Sequence, residues 1–351
     1  MTTITCQPFG CLSDGREAVC YTLTNAAGAS VQLTNYGASV VSIRVPDRSG
    51  KLVDVALGCA NAADYEAQTV HLGAVPGRHA NRIANSRFVL NGTTYHLTPS
   101  NDACQLHGGP GGFGLQLWKH QIVGDRVVFT LLSPDGDQGF PGNLIASVAY
   151  GFDDGCRLAI SYRALCDADT VVNLTNHTYF NLSGHDSGSI LDQNLCLRAD
   201  AFTENGPTSM PTGRLIPVEG TPFDFRTPKP IGRDIGLEDP NLKIGCGYDH
   251  NFVLSRQPQP EAMPFATAWS DTTGIQLEAA TTEPGVQLYT GNFLADCPIR
   301  GKDGAHYPNR SGFCLETQRW PNAMEHPEFP TVVLRAGEVY RQETWFRFGL
   351  H

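Results

Sequence analysis

The chain has 351 residues, enough to bury a large core in one domain or two. A formal charge of −10 and the lack of any Lys/Arg run argue against a nucleic-acid surface, and also against an anionic membrane face. Eleven scattered cysteines include no CxxC pair, which sets aside zinc-ribbon and thioredoxin readings.

The first ten residues, MTTITCQPFG, have neither a basic nor an apolar stretch, so no signal peptide is expected. No apolar run reaches transmembrane length. These features predict a soluble cytoplasmic protein in a reducing compartment, with free and mostly buried thiols.

In chain order, residues 31–45 form a β-branched stretch broken at Tyr36-Gly37. Asn61 is a possible cap for one short helix from Ala62 to Gln68. Segments 87–90 and 93–97 flank Asn91-Gly92, a strong hairpin signal because both residues accept positive φ. Segments 127–132 and 144–152 flank the turn-rich SPDGDQGFPGN. Residues 157–163 alternate Leu158, Ile160 and Tyr162 against polar neighbours.

A strand over 171–180 would put Asn173, Thr175, His177 and Tyr179 on one polar face. Residues 200–230 read as a Pro-rich surface excursion, and 255–264 as a loop tip. Strands at 276–281, 286–290 and 313–318 follow; Gln287 and Tyr289 share a face, as do Glu316 and Gln318. The chain is rich in Gly (37) and Pro (23), and helical periods are scarce. The pattern predicts an all-β fold, a large antiparallel β-sandwich, as a single domain over 1–351.

Four polar segments carry candidate chemistry: QLHGG (105–109), TNHTYFNL (175–182), GYDHNF (247–252) and FCLETQ (313–318). They bring His107, His177, Asp249 and Glu316 into consideration as acid and base groups across a sheet face. Taken singly, each has an ordinary reading as a surface or hydrogen-bonded side chain, and Asp249 as turn chemistry. Together they leave several functions open. Asp249 and Glu316 would suit a glycosidase. All four would suit a metal-dependent hydrolase, although no HxH or HExxH pair exists. A non-catalytic sugar-binding wall would use the same residues.

Longer motifs then narrow the choice. LTNYGASVVSIRVPDRSG (33–50), GRHANRIANSRF (77–88), QLHGG, SPDGDQGFPG, TNHTYFNL, GTPFDFR (220–226), GYDHNF, PGVQLYTGNF (284–293) and FCLETQRWPNA (313–323) occur in that order. In this ordered set the chain resembles the aldose 1-epimerase family nearly end to end. Pro76 and His79 depart from the family's pattern beside the first arginine segment.

The resemblance implies an antiparallel supersandwich that interconverts the α and β anomers of free aldoses such as D-galactose and D-glucose. It implies Glu316 as general base, His177 as general acid and His107 as an assisting group near the ring oxygen. Asn81, Arg82, Asp249 and Gln287 would hold sugar hydroxyls. No metal or other cofactor is expected, and the expected partner is a monosaccharide bound by a monomer or weak homodimer. Relatives acting on hexose 6-phosphates would need an extra basic cluster, which the acidic balance disfavours. A nearby acid is expected to keep His177 charged, and Arg82 to keep neighbouring carboxylates ionised.

Overall fold

Alternation builds the largest sheet. In Arg157–Cys166 the side chains of Leu158, Ile160, Tyr162, Ala164 and Cys166 are buried while those between them turn outward. That is the two-residue period of a strand with one face in the core. In the computed structural model, which describes residues 2–351, this strand lies within a nine-stranded antiparallel sheet. Its order is Lys119–Val123, Arg126–Ser133, Leu144–Phe152, Arg157–Cys166, Val339–Leu350, Ile275–Thr281, Met263–Trp269, Asn194–Leu197 and Lys229–Pro230.

A six-stranded antiparallel sheet runs Tyr179–Phe180, Phe313–Gln318, Gly285–Tyr289, Asp249–Val253, Ala201–Asn205 and Pro211–Pro217. A five-stranded sheet joins Thr3–Cys11, Glu17–Thr24, Ser30–Thr34, Ser39–Pro46 and Leu52–Asp54 in sequence order. One apolar core connects all three. It holds Leu23, Val31 and Ile43 from the last sheet, Phe129, Tyr150 and Phe346 from the first, and Val286, Leu288, Phe313 and Leu315 from the second. Because those four point into the core, parity turns Gln287, Tyr289, Cys314 and Glu316 to the opposite face. The all-β antiparallel expectation holds.

Local signals also hold. Asn91 and Gly92 have φ of 52° and 79° and close the Arg87–Leu90/Thr93–His96 hairpin. Helix Ala62–Ala67 is capped by the Asn61 side chain, which accepts from the Asp64 N–H at 3.0 Å. No helix is long and apolar enough to cross a membrane among the described residues.

Three expectations need correction. The strand predicted over 171–180 is two short pieces, Thr170–Val171 and Tyr179–Phe180, with an irregular stretch between them. Both of its supposed faces are buried, because the backbone bonds to segment 73–80 instead of a ladder. Asn173 N–H donates to Arg78 C=O at 3.1 Å and His177 N–H to Ala74 C=O at 2.8 Å. Within 200–230, Ala201–Asn205 and Pro211–Pro217 pair as the outer strands of the six-stranded sheet. Prolines there lie on an edge, where a missing N–H breaks no ladder. All eleven cysteines are free, but only five are buried; Cys6, Cys11 and Cys246 are exposed.

Candidate active site

The polar face of the six-stranded sheet floors a cavity of about 210 Å³. This is smaller than the roughly 300–1,000 Å³ usual for drug-sized ligands and suits a single sugar ring. Asn81, Arg82, His107, His177, Asp249, Gln287 and Glu316 all line it. The seven residues singled out in the sequence are thus brought together.

Register explains how. Gln287 lies directly across from Glu316, Tyr289 from Cys314, and Asp249 from Tyr289. Arg82 and His107 come from a second support, the short pairing of Arg82–Ala84 with Cys104–Leu106. Asn81 and His107 are both left-handed, at φ of 62° and 54°. They clasp each other: His107 N–H donates to Asn81 C=O and Asn81 N–H donates to His107 Nδ1, both at 3.1 Å. Neutral His107 therefore carries its proton on Nε2. Gly108 follows at φ 87°, and a Cβ there would lie 1.8 Å from the Gly77 carbonyl oxygen.

At the centre, His177 Nε2 stands 3.5 Å from Glu316 Oε1, with both side chains buried. His177 Nδ1 meets Cys314 Sγ at 3.4 Å. The second Glu316 oxygen is buried and has no partner. Asp249 is engaged on both oxygens: Gln287 Nε2 donates to Oδ1 at 2.7 Å, and Arg82 faces Oδ2 at 3.7 Å. Gln318 Nε2 in turn donates to Gln287 Oε1 at 3.3 Å.

Burial governs the protonation of this site. It drives the Glu316 carboxyl well above the usual carboxylate range; Asp249 adds to the rise and Arg82 only partly offsets it. Burial, helped by His71, lowers His177 to about 3, and burial also depresses His107 well below its ordinary value. The expectation that neighbours keep His177 and Glu316 charged is thus corrected: desolvation outweighs them. Burial thus disfavours the charged form of both groups.

His71, with its neighbours Thr69 and Val70, lines the cavity without any signal in the sequence. His71 has its ring centroid 4.9 Å from that of His107 and 6.0 Å from that of His177, and its Nδ1 is buried without a partner. It precedes Gly73 in a stretch with neither strand nor cap pattern. Phe293 stands half-exposed at the rim. For a metal, His107, His177 and Glu316 offer donor atoms within 4.8 Å of one another, without Asp249. Tetrahedral zinc with ligands near 2.1 Å needs spacings of about 3.4 Å, so the three would have to close in.

Comparison with known proteins gives the family. The aldose 1-epimerase family model matches residues 19–347. Galactose mutarotases of Rattus norvegicus and Homo sapiens are each 42% identical over 350 residues, with 100% of both chains covered. The aldose 1-epimerase of Escherichia coli K12 is 41% identical over 338 residues, covering 95% of this chain and 96% of that one. Among solved structures, a galactose 1-epimerase from Lactobacillus acidophilus superposes with a TM-score of 0.86 at 26% identity, covering 100% and 99% of the two chains. An aldose epimerase homologue from C. elegans gives 0.84 at 32%, covering 93% and 97%. The chain belongs to the aldose 1-epimerase family.

Proposed function

We propose that Glu316 and His177 carry the anomer interconversion of free aldoses, D-galactose and D-glucose among them. The observation that carries this reading is the buried His177–Glu316 contact at 3.5 Å, ringed by groups that suit sugar hydroxyls. Burying two ionisable groups against each other costs stability and adds little to binding, so it argues for catalysis over a passive sugar-binding wall.

The working state has a proton on His177 Nε2 and a carboxylate on Glu316. Sugar hydroxyls reaching the free Glu316 oxygen would favour it. Glu316 takes the proton of the C1 hydroxyl while His177 gives its Nε2 proton to the ring oxygen. The C1–ring oxygen bond breaks and C1=O forms. Rotation about C1–C2 presents the other carbonyl face, the ring oxygen attacks, and both protons return. Atoms and charge balance without an outside reactant. Neutral His107 donates from Nε2 toward the reacting oxygens. Asp249, Gln287, Asn81 and Arg82 grip the distal hydroxyls, leaving C1 free to turn. Two positioned acid/base groups at about 10²–10⁴-fold each supply enough acceleration.

A phosphorylated hexose is disfavoured: Arg82 is the one Lys or Arg lining the cavity among the described residues, and it already faces Asp249. We also infer one domain over 1–351, a monomer or weak homodimer, and a cytoplasmic site; the free thiols support the last.

Polarimetry of freshly dissolved α-D-galactose tests the assignment, with wild type beside Glu316→Gln. We expect acceleration by the wild type and a fall in kcat of at least about 10²-fold in the variant. Acceleration that survives the substitution moves the base elsewhere. No acceleration with any common aldose rejects the reading.

A further inference from the structure

The outward face of the nine-stranded sheet breaks two rules of sheet surfaces in adjoining rows. In the first row, Leu132 lies across from Ile145, Ile145 from Leu165, and Leu165 from Val339. These four aliphatic side chains are 65%, 52%, 46% and 41% exposed. Scattered exposed leucines are ordinary, but an unbroken apolar row over four strands is an interaction feature.

In the next row Arg163 lies directly across from Arg341. Like charges in that position destabilise a sheet. Neither arginine has an ion-pair partner among the described residues, unlike Arg157 and Arg347 on the same face, which meet Asp153 and Glu278. Arg126 reaches in from a third strand, with Nη1 donating to Ser161 Oγ at 3.1 Å. The floor between the three arginines is made of Ser147, Ala149 and Ser161, and the hollow has a volume of about 500 Å³. Among the described residues, Glu343 is the one carboxylate lining it. A locally basic hollow on a chain of net charge −10 is a departure in sign as well as shape.

We propose that this face docks an acidic protein segment carrying aliphatic side chains. Its carboxylates would meet Arg126, Arg163 and Arg341, and its aliphatic groups would cover the Leu132–Val339 row. Charge complementarity selects this occupant. A second copy of the chain presenting the same face would set arginine against arginine. A small anion would satisfy the arginines and leave the apolar row bare. Four strands at about 4.8 Å spacing and three rows give on the order of 400 Å² per partner, the scale of a weak, transient contact. None of these residues lines the sugar cavity.

Fluorescence anisotropy on the full chain tests this with three probes. One is a labelled peptide of repeated Glu-Glu-Leu-Leu, one its Lys-Lys-Leu-Leu counterpart, and one poly-glutamate. We expect the acidic amphipathic peptide to bind with a Kd below about 1 mM and the basic one not to bind. Binding should weaken about tenfold in Arg163→Glu/Arg341→Glu and also in Leu132→Ser/Leu165→Ser. Unchanged mutarotation rates in both variants would show that they fold. No binding overturns the proposal, and so does equal binding to both variants. Loss confined to the arginine variant, with poly-glutamate binding as well as the peptide, reduces the face to a plain anion site. Self-association of the free protein that the leucine variant abolishes would replace the acidic partner with a second copy.

Discussion

Cys314 contacts the face of His177 that does not meet Glu316. If the Nε2 proton leaves for the ring oxygen, the proton left on neutral His177 is on Nδ1, aimed at Cys314 Sγ 3.4 Å away. Burial holds the thiol pKa well above its ordinary value, so the sulfur is a neutral, weak acceptor. Its effect is to keep Nε2 free for the moving proton. One weak hydrogen bond is worth about 1 kcal/mol, which is roughly fivefold in rate. Cys314→Ala is therefore expected to lower kcat about fivefold with KM nearly unchanged, and Cys314→Ser to restore most of the loss. Steady-state polarimetry separates the two constants. An effect on KM alone would make Cys314 a packing residue. The ¹⁵N shifts of His177 give a second check, since they should move toward a mixed tautomer in the alanine variant only.

At the scale of elements, the His107 turn depends on close backbone approach. Gly108 at φ 87° sits where any Cβ would strike the Gly77 carbonyl. Gly108→Ala must push apart the two segments that hold His107 and the Asn81–Arg82 pair. Strain of this kind costs about 1–3 kcal/mol. We expect a lower melting temperature together with a loss of activity exceeding that of a distant substitution of equal stability cost. Full activity at reduced stability would mean that the turn merely supports the fold. The same turn shows what the sequence makes legible. Parity alone predicted that Gln287, Tyr289, Glu316 and Gln318 leave the core, because their strands alternate cleanly with Val286, Leu288 and Leu315. It failed over 171–180, where only Thr170–Val171 and Tyr179–Phe180 are strand and the residues between them follow no two-residue period. The meeting of the Asn81 and His107 segments with the sheet was legible through ordered motifs, not through spacing. His71 stayed hidden because its place in the cavity comes from a turn with φ 57°, a long-range result that local pattern does not encode.

Across the whole molecule, burying histidines ties stability to pH. Burial lowers His79 and His250 to about 4 each, and neither His79 nitrogen has a hydrogen-bond partner. Between the ordinary histidine value near 6.5 and about 4, the unfolded chain takes up these protons and the folded chain does not. Their contribution is complete above about pH 6.5 and is lost as pH falls through 4. Each is worth on the order of 3 kcal/mol. Glu283 works in the opposite sense. Burial raises its carboxyl to about 7 against the pull of Arg319, so its contribution is present below about 4.5 and is lost as pH rises through 7. Burial also lowers His71, His107 and His177 and raises Glu316, so five histidines against two carboxyls leave a net loss toward acid. Urea denaturation at several pH values should therefore show stability dropping between pH 6.5 and 4.5. His79→Leu is close in volume and breaks no hydrogen bond, so it isolates one of these contributions. It should flatten that drop by about one proton's worth, roughly 1.4 kcal/mol per pH unit. A variant as acid-sensitive as the wild type would mean that His79 is protonated, and partnered, in the folded protein.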